Sequence, residues 1–218
     1  DCHKGIAHRL PDLTARHREM AARLLDGAPA VAVGATATVL RPLPLFAEAE
    51  GDAEIDRLAP LAVVTIRERR GERVAIETVA WQREGMPRTL HATFGRRIAA
   101  ASLTDVDRAG IAQLSTRFEP EKEDTWTEVR LSAWTTSKGL VVDTTGLAAY
   151  GAELHEANCS FCHALPAPEG RTAETWISDV NAMRRMVPLD EAEIAFLLGH
   201  LQRRAKDVVG AAAGGGGS

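Results

Sequence analysis

Residues 158–163 read Asn158-Cys159-Ser160-Phe161-Cys162-His163, and this stretch decides how the last third of the chain must be built. A C-x-x-C-H pattern is the signature of covalent c-type haem attachment. Two thiols at this spacing reach both vinyl-derived positions along one porphyrin edge, and the adjacent imidazole is set beneath the iron. Cys159 and Cys162 are thus the candidate haem-attachment residues, and His163 is the candidate proximal ligand. Other chemistries fit less well. A structural zinc site needs four Cys or His ligands, and no second cysteine pair follows Cys162. A redox-active dithiol calls for a strand–helix–strand setting, whereas these flanks read as helical. A disulfide across two residues would leave His163 without a role.

Working outward, Leu147 to Asn158 reads as a helix leading into Cys159. Thr172 opens a second, in which Trp176, Val180 and Met183 fall on one face, and Pro188 ends it. Asp190 and Glu193 form a D-x-x-E start, and Ile194, Leu197, Leu198 and Leu201 then repeat as a buried stripe. Three such short helices cannot build a dependable core alone. A flat, mostly apolar porphyrin would fill the middle, giving a small all-α monohaem domain over 146–208. A sixth iron ligand is expected downstream. Met183 is favoured because it shares the inward face of Trp176 and Val180; Met186, or His200, or an open position remain alternatives. A thioether ligand raises the potential relative to bis-His ligation. His155 and His200 read as solvated, His17 lies on a polar helix face and His91 in a strand; none of these is given a role.

Upstream, 14–26 has the pattern of a short amphipathic helix stopped by Gly27 and Pro29. From 30 to about 145 the pattern is β. Val31-Ala-Val33, Thr38-Val-Leu40, Ala62 to Ile66, Val74 to Val79, Thr89 to Phe94, Gly110 to Phe118 and Thr127 to Trp134 are short runs. Breaks fall at Pro42-Leu-Pro44, Arg70-Gly71 and Gly85-Met-Pro87. Many short strands with turn signals suggest a small barrel or sandwich. The 218 residues carry 45% hydrophobic and 26% charged side chains, which is globular. A formal charge of −4 offers no broad electrostatic case for a nucleic-acid partner. No apolar run reaches the roughly 20 residues of a membrane span, and there is no signal-peptide opening. Residues 209–218, ending in glycines and a serine, read as a flexible tail of cloned-linker type.

The first residues, Asp1-Cys2-His3-Lys4-Gly5-Ile6-Ala7-His8-Arg9-Leu10-Pro11, look like the end of another C-x-x-C-H motif whose first cysteine lies before the chain. This stretch resembles the last haem motif of NapC/NirT-type tetrahaem quinol dehydrogenases. Asn158 to His163, Thr172 to Trp176, Val180 to Met183 and Leu201 to Asp207 are similar to one group of that family. The group is the pentahaem cytochromes that feed periplasmic trimethylamine-N-oxide or dimethyl sulfoxide reductases. The likeness covers the first dozen residues and about 126 to 207; the middle matches in architecture.

The resemblance implies an α+β chain, with a small all-β, SH3-like barrel followed by the all-α monohaem cytochrome c domain. Residues 1–29 would be the tail of a tetrahaem domain with a short helix, 30–145 the β domain, 146–208 the haem domain and 209–218 the tail. In this family His3 is a proximal ligand and His8 a distal ligand to a different haem, so Cys2, His3 and His8 would belong to a truncated upstream site. Electrons would pass from the quinol pool through the tetrahaem segment to haem c on Cys159 and Cys162, then to a molybdenum-containing terminal reductase. One intact haem site is expected in this chain, with more in the full-length protein. The setting implied is the periplasm, with the parent anchored in the inner membrane. No general acid or base is needed, since the task is electron transfer rather than catalysis. The alternative is a docking or redox-sensing module that binds the reductase or a sensor protein, or a haem c donor to another periplasmic oxidoreductase.

Overall fold

Two long antiparallel strands organise the chain. Strand β5 (Arg73–Arg83) and strand β9 (Asp124–Thr136) pair along their whole common length, from Arg73 opposite Thr136 to Arg83 opposite Trp126. Both alternate as half-buried strands should. Val74, Ile76, Thr78 and Ala80 point inward from one, and Val129, Leu131, Ala133 and Thr135 from the other. The computed structural model that shows this describes residues 13–26, 31–160 and 164–209.

The remaining strands are β1 (Thr36–Val39), β2 (Leu43–Phe46), β3 (Glu54–Leu58), β4 (Val63–Arg70), β6 (Thr89–Thr93), β7 (Arg96–Leu103), β8 (Gly110–Glu119) and β10 (Leu140–Val141). All ten belong to one sheet, in the order β10-β1-β4-β5-β6-β7-β3-β2-β9-β8, with β5 also paired to β9. That extra pairing closes a ring of six strands: β5, β6, β7, β3, β2 and β9. Each long strand divides its second edge. β5 gives its first residues to β4 and Trp81–Gln82 to β6, while β9 gives Asp124–Ser132 to β8 and Trp134 to β2. Closure removes the ring's own edges. Leu45, Ile55, Leu58, Leu90 and Leu131 of the ring strands lie in its core.

Helix α1 (Thr14–Asp26) precedes the sheet, and α2 (Leu147–Cys159), α3 (Ala173–Met183) and α4 (Glu191–Arg203) follow it. A 3-10 turn spans Pro168–Gly170. The Thr172 side chain caps α3, and Asp190 with Glu193 forms a complete capping box on α4, as the D-x-x-E spacing anticipates.

The expected fold class is corrected here. The protein is mostly β, its barrel has six ring strands rather than an SH3-like arrangement, and the helices do not form an all-α domain following it. Their apolar faces bury against the outside of the sheet. Leu40, Ile98 and Val141 share one cluster with Leu147, Tyr150, Leu154, Trp176, Phe196 and Leu197. The physical reason is helix length: elements of 11 to 13 residues cannot bury a stripe by themselves, so a sheet face completes the layer. Polar ties reinforce it. Arg203 donates to the Leu61 carbonyl at 3.0 Å, Gln202 to the carbonyls of Arg97 and Ala173, and Arg41 pairs with Asp190 at 2.7 Å. Burial pushes the Arg203 guanidinium down to about 10.

Strands β3 and β7 escape the sequence pattern, Val31–Val33 is not a strand, and Pro44 lies inside β2 rather than at a break. Proline is tolerated there because β2 meets β9 only at Phe46–Trp134, and the Pro44 carbonyl accepts from Thr135 Oγ1 at 2.7 Å.

Candidate functional site

The chemistry-bearing cysteine ends a helix. α2 carries Leu147, Tyr150, Leu154 and Asn158 into the helical layer, and its last residue is Cys159. One turn earlier on the same face is His155, 5% exposed, its ring edge-on to Trp176 with centroids 5.7 Å apart. α2 crosses α4 at Gly151. A Cβ there would sit 2.2 Å from His200 Nδ1, so the imidazole of His200 occupies the notch that the missing side chain leaves. His200 is 8% exposed, and its basicity is pushed down to about 4 by burial, with Arg204 and His155 adding to it. The reading of His155 and His200 as solvated is therefore overturned. His17 is fully buried too, despite its polar neighbours in sequence.

Beside Cys159 the helical layer opens into an apolar cleft of about 250 Å³. Trp176 and Val180 of α3, Ile194, Leu197 and Leu201 of α4, and Leu189 between them form its walls. The Trp176 indole is fixed by donating from Nε1 to the Pro168 carbonyl at 3.0 Å. Met183, the last residue of α3, and Met186, in the turn after it, both line the same cleft. Met183 is half-buried, and Met186 is 56% exposed. At the rim Arg171 pairs with Asp179 at 3.3 Å, and Arg184 pairs with Glu191.

The sequence-derived site residues separate into three sets. Cys159 and Met183 are brought to one cleft. Cys162 and His163 lie outside the described residues, but the chain on both sides of them, Cys159 and Pro166, lines the cleft. Cys2, His3 and His8 also lie outside the described residues. Of the alternative sixth ligands, Met186 reaches the cleft and His200 is not among its lining residues. Sequence reasoning missed His155 and the Arg171–Asp179 pair. The signal for His155 was present, since it precedes Cys159 by one helical turn. Nothing local marked Arg171.

A cleft of this kind suits a flat apolar group with anionic edges. Its walls are largely aliphatic and indole carbon, a cysteine stands at its edge for attachment, the thioethers of Met183 and Met186 and the imidazole of His155 line it, and the guanidinium groups of Arg171 and Arg184 stand at its rim. These residues fit haem c, for which soft sulfur and imidazole ligands are apt. Among the described residues no cluster of three or more His, Cys, Asp or Glu side chains could hold a bare metal ion.

Comparison with known proteins bears on the same elements. A family model described as TorC third cytochrome c domain matches residues 31–140. That segment runs from before β1 through β9 to the first residue of β10 and contains no cysteine. The cytochrome c-type protein TorC of Escherichia coli strain K12 is 32% identical over 216 residues, covering 98% of this chain and 55% of the relative. The cytochrome c-type protein TorY of Haemophilus influenzae is 28% identical over 212 residues, covering 95% of this chain and 55% of the relative. The chain thus spans about half the length of the curated relatives it matches. No solved structure matches it.

Proposed function

Because this chain belongs to the TorC family of c-type cytochromes, we propose that it carries one haem c and relays electrons to a terminal reductase. Cys159 and Cys162 would hold the group by thioether bonds, and His163 and Met183 would be the residues that ligate its iron. Haem supplies one-electron chemistry between ferric and ferrous iron. The protein's part is to set potential and position. Trp176, Val180, Ile194 and Leu197 keep water from the cleft, which disfavours the extra positive charge of the ferric state. A methionine sulfur acts in the same direction. The carrying observation is that Cys159 and Met183, 24 positions apart in sequence, line one apolar cleft.

On this reading electrons arrive from the quinol pool through an upstream tetrahaem segment, to whose last site Cys2, His3 and His8 belong. They leave to a periplasmic molybdenum-containing reductase of trimethylamine N-oxide or dimethyl sulfoxide. The parent protein is anchored in the inner membrane; no helix among the described residues is long and apolar enough to cross one. The chain breaks no substrate bond, so it needs no general acid or base.

The test is made on chain matured with haem c. One covalently bound haem per chain is expected by mass and by the reduced haemochrome spectrum. Met183→His should lower the potential and remove the sulfur-to-iron band of the oxidised protein, and Met186→Ala should keep that band. Loss of the band in Met186→Ala and its retention in Met183→Ala would reverse the ligand assignment. Failure of the reduced chain to be reoxidised by a competent reductase would reject the relay itself.

A second reading rests on a different observation: the family-matched segment, 31–140, holds no cysteine. The barrel then serves as a docking or redox-sensing module for the reductase or a sensor protein, with the haem cleft built onto its outer face. Barrel variants that weaken partner binding while leaving the potential unchanged would separate this role from the relay.

A further inference from the structure

The sheet has two terminal strands, and they are treated differently. At one end β10 is two residues long, both buried, with Val141 inside the helical layer's cluster. At the other end β8 is ten residues long, pairs with β9 alone, and is exposed over all but Ile111 and Glu119. In an antiparallel ladder alternate residues turn their N–H and C=O away from the paired neighbour. One edge of β8 therefore presents a line of backbone donors and acceptors that no strand of this sheet takes up. The side chains are also unusual for an open strand. Leu114 is 42% exposed and Phe118 61%.

The usual guards of an edge are few here. Protective lysine, proline or inward-pointing charge is the common device, and β8 has no lysine or proline. Its one charge along the exposed run, Arg117, lies over the Phe94 ring at 4.1 Å, covering the barrel aromatics rather than guarding the edge. One irregularity exists, a register shift between Gln113 and Ser115 that bulges Leu114. It leaves regular pairing on both sides.

The charges at the two ends choose the occupant. Before the strand, Arg108 is engaged with Asp105, and exposed Asp107 has no ion pair among the described residues. After it, Lys122 donates to the Gly95 carbonyl at 2.9 Å and faces Glu119, while exposed Glu121 and Glu123 have no ion pair among the described residues. Both ends thus carry uncompensated carboxylates. Antiparallel pairing of β8 with β8 of a second copy would bring acidic end against acidic end, and like charges set opposite each other destabilise a pair.

We propose that β8 is a strand-addition site for an extended segment of a partner protein with an apolar, β-branched centre and basic residues at both ends. Main-chain hydrogen bonds to the open edge give the affinity, Leu114 and Phe118 receive apolar side chains, and Asp107, Glu121 and Glu123 set the charge preference. This site lies on the barrel and is independent of the haem assignment.

The test uses the full 218-residue chain and a synthetic peptide, Lys-Lys-Thr-Val-Thr-Val-Thr-Val-Lys-Lys, with binding followed by titration calorimetry and amide exchange. Binding should slow exchange in β8 and leave β10 unchanged. Replacing the terminal lysines by glutamates should weaken binding at least about tenfold at low salt, with the difference shrinking as salt screens it. Methylating alternate backbone nitrogens on the pairing side should abolish it while leaving every side chain in place. Leu114→Lys/Phe118→Lys should weaken it without altering the fold, as read by circular dichroism. Equal binding of the methylated peptide, protection appearing outside β8, or no binding at all would overturn the proposal. So would a concentration-dependent dimer in sedimentation that Leu114→Lys/Phe118→Lys abolishes, since the edge would then belong to a second copy.

Discussion

In the ring, Leu45, Ile55, Leu58, Leu90 and Leu131 are fully buried in one cluster. In the helical layer, Val180, Leu189 and Ile194 keep 8 to 9% exposure where they line the cleft. Both regions bury apolar surface, which is the main favourable term in folding. The barrel does it with residues it owns. The helical layer does it in part with the back of the sheet, through Leu40, Ile98 and Val141, and leaves an apolar cleft beside Cys159. The lesson is that one layer closes on its own side chains, whereas the other needs the sheet and, on the proposed reading, a bound haem.

The strongest way to break this comparison is to remove the attachment thiols. In Cys159→Ser/Cys162→Ser, haem should no longer be held covalently. Amides of α2, α3 and α4 should then lose most of their hydrogen-exchange protection, while β5 and β9 keep theirs. Equal loss in β5 and β9 would mean that the two layers unfold as one unit, and equal retention in the helices would mean that the cleft needs no filling. The reverse experiment is Leu131→Ala. Leu131 is fully enclosed between β8 and β5, facing Thr78 and Ile111 in register. Truncation should cost about 2–5 kcal/mol, read from the denaturation midpoint, with the haem spectrum of the remaining folded protein unchanged.

How much of this was legible depends on where the signal lived. The capping box on Asp190 and the alternation of β5 and β9 are local signals, and each could be read from a handful of consecutive residues; the C-x-x-C-H motif is equally local, and it led to the cleft that Cys159 lines. Strand β7 could not. Its sequence, Arg96 to Leu103, is rich in alanine, which carries little β preference. It is a strand because Ile98, Ala100, Ala101 and Leu103 fit between neighbours brought from far along the chain. The buried histidines failed for the same reason. His200 lies off the Ile194–Leu201 stripe, and only the crossing of Gly151 over it, a contact between distant residues, encloses it. Helix length hinted at incompleteness but did not say that the partner surface would be the sheet.

A smaller effect compares the two regions through one pair of groups. His91, 3% exposed in β6 and edge-on to Trp126, is held down to about 4 by burial, with Arg97 and Arg83 adding to it. His200 is held at a similar value in the helical layer. Both are neutral in the folded protein where an unfolded chain, titrating near 6.5, already takes up protons. Stability contributed by each neutral ring is therefore full above about pH 6.5, falls as pH drops toward about 4, and is lost no further below it. The loss should be on the order of 3 kcal/mol per histidine. His91→Gln should flatten this dependence for the barrel, and His200→Gln for the helices, as read by region-resolved exchange at pH 7 and 4.5. A pH profile unchanged by both substitutions would assign the acid sensitivity to other groups.

The smallest effect probes the joint between the layers. Asp190 is both the N-cap of α4, accepting from the Glu193 amide at 2.8 Å, and the ion-pair partner of Arg41, which lies between β1 and β2. Asparagine keeps the cap and removes the charge; alanine removes both. Loss of an N-cap costs about 1 kcal/mol, whereas a half-exposed ion pair is worth less than that. Asp190→Ala should therefore lower stability by about 1 kcal/mol, and Asp190→Asn and Arg41→Ala by only a few tenths. If Arg41→Ala matched Asp190→Ala instead, the tie to the sheet rather than the start of the helix would dominate at this joint. The helical layer would then be held to the barrel at its polar rim as firmly as at its apolar floor.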